Sequence, residues 1–311
     1  MLTHLIILLD DTSVSYCHYD VTKTEHRLID IDVLKDGIVW GMKENLNIQF
    51  VFPDYELPEE YRAAVETIDN TKIKPLCQAE GADVLVLNDC GDAVPEDATC
   101  ILRTTRKELA DHLDEIDEWL GKVARLNIVL TDVSEFSDDD IKEYEAMLDA
   151  IASLMADHYK QQHPVQLNLL TDRMLLTRMN NCDAGVANVT LAPNGRFYLC
   201  PAFYYANEED SIGDPYAGLD IRNQQLLQLD HAPICRHCDA FQCRRCIWMN
   251  GQLTMDANTP SHQQCVMAHV ERNASRDLQL KLEKMGVRID NSQPIEEMTE
   301  LDPFNIVNRW K

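Results

Sequence analysis

Cys235-Arg236-His237-Cys238-Asp239-Ala240-Phe241-Gln242-Cys243-Arg244-Arg245-Cys246 carries two Cys-x2-Cys pairs separated by four residues. Thiolates bind iron or zinc far better than oxygen ligands do, and a Cys-x2-Cys turn lets both sulfurs reach one metal or cluster. Outward from this stretch, Cys182 and Cys200 precede it and Cys265 follows. With Gly195 included, the order is Cys182-x12-Gly195-x4-Cys200, a gap of 34 residues, the paired motif, a gap of 18, and Cys265. Seven of the 11 cysteines thus fall in one segment, which reads as a metal site. Zinc ribbons commonly separate their pairs by about 15 to 20 residues. The short gap and the number of soft ligands therefore favour iron-sulfur ligation, with a zinc-stabilised module as the alternative.

Up to about Asp172, short apolar runs alternate with helical patterns, the mark of repeated β-α units and a largely parallel sheet. Strands are predicted over Leu5–Leu9, Ile48–Phe52, Val84–Leu87, Ile128–Leu130 and Val165–Leu170. Helices are predicted over Val33–Asn45, Glu59–Thr67, Arg106–Val123 and Asp138–His158. The last of these has Ser137 as N-cap and Asp138, Asp139 and Asp140 set against the helix dipole. From about Arg178 the composition turns to cysteines, aromatics and turns. Pro193-Asn194-Gly195 joins Val189–Leu191 to Arg196–Leu199 as a hairpin, expected to deliver Cys200 beside Cys182. A helix over Met267–Lys284 and a polar tail ending at Trp310 and Lys311 complete the chain. The expected domains are 1–177, 178–275 and 276–311.

The chain has 311 residues and a formal charge of -25, from 53 acidic against 28 basic residues. That balance opposes attraction to phosphate backbones and anionic lipid, so neither nucleic acid nor membrane is expected as a partner. The apolar run Leu5–Leu9 is closed at once by Asp10 and Asp11, too short for an export signal or for a span of about 20 residues. A reducing, cytoplasmic setting follows, with thiols and metal ligation in place of disulfides.

Cys77, Cys90 and Cys100 read as buried small side chains. Cys17 and His18 suggest a nucleophile and base, but adjacent residues on a strand point to opposite faces. His237 and His262 flank ligand cysteines, Arg236, Arg244 and Arg245 suit the charge of thiolate-bound clusters, and Phe197, Tyr198, Phe203, Tyr204, Tyr205 and Trp248 suit their shielding. No Gly-rich phosphate loop, Gly-x-Ser-x-Gly elbow or zinc protease motif occurs, and no catalytic residue is assigned.

The seven-cysteine order with its Gly-x4-Cys element resembles the SPASM domain, which is appended to radical S-adenosylmethionine enzymes that modify ribosomally made peptides. Its later loops have four and two residues where the family usually has five and three. The resemblance implies two 4Fe-4S clusters. Cys235, Cys238, Cys243 and Cys265 would ligate one completely, while Cys182, Cys200 and Cys246 would hold the other, its fourth ligand unassigned.

Radical enzymes of this kind place Cys-x3-Cys-x2-Cys after the first barrel strand. Here the loop Asp10-Asp11-Thr12-Ser13-Val14-Ser15-Tyr16-Cys17-His18-Tyr19 has Cys17 alone, so no S-adenosylmethionine cluster is expected. The fold expected is α/β, a degenerate partial β/α barrel of radical S-adenosylmethionine type followed by a cysteine-rich SPASM-like domain with a β-hairpin. The opening Leu5 to Tyr19 together with the cysteine-rich end is similar to the CXXX repeat peptide maturase family. That likeness implies a cysteine-repeat precursor peptide and a separate radical enzyme as partners. The chain would then be an auxiliary iron-sulfur protein that binds peptide or relays electrons, a peptide-modifying maturase that does not generate radicals alone. The alternative is a non-catalytic adaptor stabilised by zinc or a cluster.

Overall fold

In the computed structural model, which describes residues 1–297, the chain divides into two compact units, each built from two stretches: 1–87 with 183–231, and 88–182 with the residues from 232 onward. The first unit opens with β1 (His4–Leu8), α1 (Ile31–Lys43), β2 (Asn47–Val51), α2 (Glu59–Val65), β3 (Asn70–Pro75) and β4 (Val84–Leu87). The chain then enters the second unit through β5 (Thr99–Thr104), α3 (Arg106–Asp111), α4 (Leu113–Leu120), β6 (Arg125–Leu130), α5 (Asp138–Lys160), β7 (Gln166–Leu167) and α6 (Asp172–Leu175). It returns to the first with β8 (Asn188–Leu191), β9 (Phe197–Tyr198), α7 (Pro201–Ala206), β10 (Gly213–Asp214) and β11 (Gly218–Leu219). Finally α8 (Ile247–Thr254) and α9 (His262–Lys284) belong to the second.

In the first unit the strand order is β4-β3-β2-β1-β8-β9, parallel except for the β8–β9 hairpin. β1 is central, with Leu5 opposite Ile48 and Val189, and Ile7 opposite Phe50 and Leu191. Its residues are buried in succession because both faces are covered, as in a parallel sheet. On one face α1 lies so close that a Cβ on Gly37 would stand 2.3 Å from Leu191 Cδ2. At the hairpin Gly195 has φ +79°, a left-handed turn position that glycine occupies without a Cβ clash.

The second unit orders its strands β7-β6-β5, all parallel. α5 begins as predicted, with the Ser137 hydroxyl accepting from Asp140 N and the Asp140 carboxylate accepting from Ser137 N. Its apolar stripe Ile141, Tyr144, Leu148, Ile151 and Met155 is buried, and the helix packs on α9.

Several elements depart from expectation. β3 and β5 were not foreseen, and the 165–170 strand shrinks to two residues. Thr171 ends it, its hydroxyl accepting from Leu167 N and its own N donating to Leu167 O. The predicted helix 106–123 breaks at His112, which leaves helical geometry at φ -125° and ψ 36°. α9 starts at His262, with Ser261 as N-cap, so Cys265 sits in its first turn and not before it. The tail residues Trp310 and Lys311 lie outside the described residues. Among the described residues no helix is long and apolar enough to cross a membrane.

Candidate metal centre

The paired motif folds into tight turns that hold its sulfurs inward. Cys235 opens a short 3-10 turn, Cys238 N donates to Cys235 O at 3.1 Å, and Cys238 Sγ accepts from Ala240 N at 3.4 Å. Cys243 N donates to Ala240 O at 3.1 Å. From the other side, the first turn of α9 brings Cys265. These four cysteines line one small pocket, together with Met179, Ile234, Arg245, Pro260, Gln264, Ala268 and His269. All of them belong to the second unit. They are the four residues expected to ligate a single cluster.

No disulfide occurs among the described cysteines. Burial pushes the Cys235 thiol up to about 11, with Cys238 adding to it, and raises Cys238 as well. Cys243 is driven well up by burial and then by Cys238 and Cys235. Any metal bound by these thiols has to displace their protons. Among the described residues no three His, Cys, Asp or Glu side chains draw close enough to hold a single ion. One zinc ion at a Zn–S distance of about 2.3 Å would need its sulfurs about 3.8 Å apart. Four soft sulfurs lining one largely apolar pocket are a donor set that suits an iron-sulfur cluster or, drawn closer together, zinc.

His269 was not found from the motif. It sits four residues beyond Cys265 on the same face of α9, with Nε2 3.4 Å from Cys238 Sγ. The Cys265-x3-His269 spacing was the available signal. His237 and His262, which flank the ligands in sequence, are exposed. Of the three arginines assigned to cluster charge, Arg236 and Arg244 are exposed and Arg245 is buried at the cavity. Arg245 Nε donates to Asn181 Oδ1 at 2.9 Å and Nη1 to Asn258 Oδ1 at 2.6 Å. Two guanidiniums from other segments share the carboxylate next to Cys238. Arg272 Nε and Nη2 donate to Asp239 Oδ2 at 3.0 and 2.6 Å, and Arg173 Nη2 does so at 3.4 Å.

Of the remaining expected ligands, Cys246 is the N-cap of α8 and accepts from Met249 N at 3.4 Å. Cys182 is the last residue of the second unit's first stretch, and Cys200 is the N-cap of α7 in the first unit. Cys90 and Cys100 are buried as expected, whereas Cys77 is exposed on a 3-10 turn after β3, its sulfur 3.6 Å from Asp54 O.

The loop after β1 is fixed by charge and aromatic packing. The Asp10 carboxylate accepts from Thr12 N at 2.8 Å and Tyr55 OH at 2.9 Å. Asp11 pairs with Arg27 Nε at 3.0 Å and accepts from Tyr204 OH. Arg27 also donates to Glu208 at 2.7 Å, and Lys23 bonds the same carboxylate. Burial alone would raise Glu208, but the bonds from Lys23, Arg27 and Asn194 hold it at about 2. Tyr19 stacks on Tyr205 at 5.5 Å and meets Tyr16 edge-on at 5.8 Å. Burial, then Tyr16, Tyr205, Cys17 and Cys200, push its phenol well up. The tyrosines foreseen as cluster shields thus pack, in the first unit, around this loop.

Solved structures share this architecture. Native anSMEcpe with bound AdoMet and Kp18Cys peptide matches at TM-score 0.57 and 12% identity, over 91% of this chain and 99% of that one. The same enzyme with AdoMet and Cp18Cys peptide matches at 0.57 and 12%, over 92% and 99%. A hexahistidine-tagged form with AdoMet gives 0.56 and 11%, over 93% and 97%. No family model and no curated relative matches the sequence. The chain therefore has an α/β fold, mostly parallel, of the partial-barrel kind found in these structures.

Proposed function

We propose that this protein is an auxiliary iron-sulfur protein that matures a ribosomally made cysteine-repeat (CXXX) peptide, working beside a separate radical enzyme in a reducing, cytoplasmic setting. Residues 178–275 form the SPASM-like module. Cys235, Cys238, Cys243 and Cys265 hold one 4Fe-4S cluster, and Cys182, Cys200 and Cys246 supply three ligands to a second. The observation that carries this reading is the cavity lined by all four cysteines of one set, brought from two sequence-distant turns.

A bound cluster supplies one-electron transfer and, at an iron short of a protein ligand, a place for a substrate thiolate. The chain's own residues do the rest. Burial keeps water from the sulfurs, His269 faces the Cys238 sulfur, and Arg245 offsets negative charge at Cys235. A peptide substrate is supported by the fold shared with anSMEcpe, whose solved structures hold peptides. Leaving radical generation to a partner is supported by the lone Cys17 in a loop tied down by Asp10 and Asp11.

Anaerobic reconstitution followed by iron and acid-labile sulfide analysis tests the proposal. Iron and sulfide sufficient for two 4Fe-4S clusters are expected. Stoichiometric zinc with near-zero iron would refute the cluster assignment and leave the adaptor reading.

A further inference from the structure

The first turns of α9 wall the four-cysteine pocket of the second unit with two columns of side chains, Gln264 with Ala268 and Cys265 with His269. His269 is turned to the Cys238 sulfur, and Ala268 brings only a methyl group. Gln264 is the member of this wall that packing does not explain. The residue is buried, at 9% exposure, and its Oε1 is buried with no hydrogen-bond partner among the described residues. Its main chain is accounted for by the helix start, since Gln264 N donates to the Ser261 hydroxyl at 3.2 Å. The amide at the end of the side chain is not.

A buried polar atom without a partner costs free energy, so a pocket wall that served packing alone would carry an apolar side chain of similar length. Met179, Ile234, Pro260 and Ala268 show that this pocket takes apolar neighbours readily. Protonated thiols are weak partners for either end of an amide. Sulfur that carries the negative charge of a metal-bound thiolate or sulfide is a much better acceptor for an N–H. A half turn of the terminal amide exchanges Oε1 for Nε2 and supplies that donor at the same place in the wall.

We infer that Gln264 is a hydrogen-bonding residue for the centre held by Cys235, Cys238, Cys243 and Cys265, its amide N–H donating to a sulfur of that centre. The inference rests on the cluster proposed above. Gln264 is a positioning residue and holds no iron. Reduction adds one electron to the cluster, from dithionite in the test, and no bond to the metal forms or breaks. An N–H on a sulfur stabilises the added negative charge, so the bond raises the reduction potential.

The test is a redox titration of the reconstituted full chain followed by electron paramagnetic resonance, with metal content measured on each sample. Gln264→Met keeps the length of the side chain and removes the amide. The variant is expected to keep its iron and to lower the potential of one cluster while the other stays put. The reduced-to-oxidised ratio at fixed poise should fall about tenfold, equivalent to about 59 mV for one electron. Gln264→Glu has the same shape without the N–H and should lower the same potential at least as far. Pulsed resonance on the reduced wild type in deuterated water should show an exchangeable deuteron coupled to that cluster, and Gln264→Met should lose it, which a change in packing alone would not cause. Should Gln264→Met fail to fold, Gln264→Leu carries the same two readouts. Full iron with unchanged potentials and an unchanged deuteron coupling overturns the hydrogen bond and leaves the cluster reading intact. A wild-type protein that takes up no iron overturns both.

Discussion

His269 presents Nε2 to the Cys238 sulfur at 3.4 Å, linking α9 to the first Cys-x2-Cys turn across the cavity. The same helix carries Cys265 one turn earlier, so α9 supplies a thiol and an imidazole from a single face. An N–H aimed at a ligand sulfur raises a cluster's potential without holding the metal. His269→Leu is therefore expected to retain its iron and show a lower potential. Loss of iron in that variant would instead make His269 a ligand, and metal analysis separates the two outcomes.

Cys238 and Cys246 divide between the two proposed clusters although only seven residues separate them. Cys238→Ala and Cys243→Ala should each remove about half of the reconstituted iron, the same half, so that the double variant loses no more than either single one. Cys246→Ala should remove the other half, and combining it with Cys238→Ala should leave almost none. Iron assays on the five proteins decide it. Equal and additive small losses from every variant would mean that the thiols do not act as two sets.

How much of this was legible beforehand depends on which residues carry the information. β1 and β4 are apolar runs buried on both faces, β2 keeps Ile48, Phe50 and Val51 buried around a half-buried Gln49, and runs such as Leu5 to Leu9 identify themselves. β3 reads Asn70-Thr71-Lys72-Ile73-Lys74-Pro75 and buries only Ile73 and Pro75, so its place comes from pairing with β2 and β4 and not from its own pattern. At the site, sulfurs announce themselves by spacing. Arg173, Arg272 and His269 do not, because they reach the cavity's surroundings from helices α6 and α9, and their significance lies in burial and shared partners that no local pattern encodes.

Tyr144 OH donates to Glu271 Oε1 at 3.0 Å, and Gln242 Nε2 lies 3.4 Å from Oε2. Burial pushes the Glu271 carboxyl up to about 7, against these two bonds that lower it. An unfolded glutamate titrates near about 4.3, so the folded state holds the proton more tightly. Stability from this group is full below that value, declines as pH rises from about 4.3 to about 7, and is level above. Glu271→Gln keeps an acceptor for Tyr144 and removes the decline. The variant should match wild type near pH 4 and exceed it by on the order of 2 kcal/mol at pH 8, measured by urea unfolding.

Glu208 has the opposite sign. Its folded value of about 2 lies below the unfolded one, because the bonds from Lys23, Arg27 and Asn194 outweigh burial. Its contribution is therefore present above about pH 4.3 and vanishes as pH falls through about 2. The side chain is 39% exposed, so solvent and salt screen much of the shift. Glu208→Gln should cost on the order of 1 kcal/mol at pH 7 in low salt, less in 1 M salt, and nothing near pH 2. Because Glu208 shares Arg27 with Asp11, the loss should also loosen the loop that holds Cys17. Hydrogen exchange at residues 11–27 should then rise in Glu208→Gln while exchange in β5 and β6 stays unchanged; uniform acceleration across both units would place the effect in global stability alone.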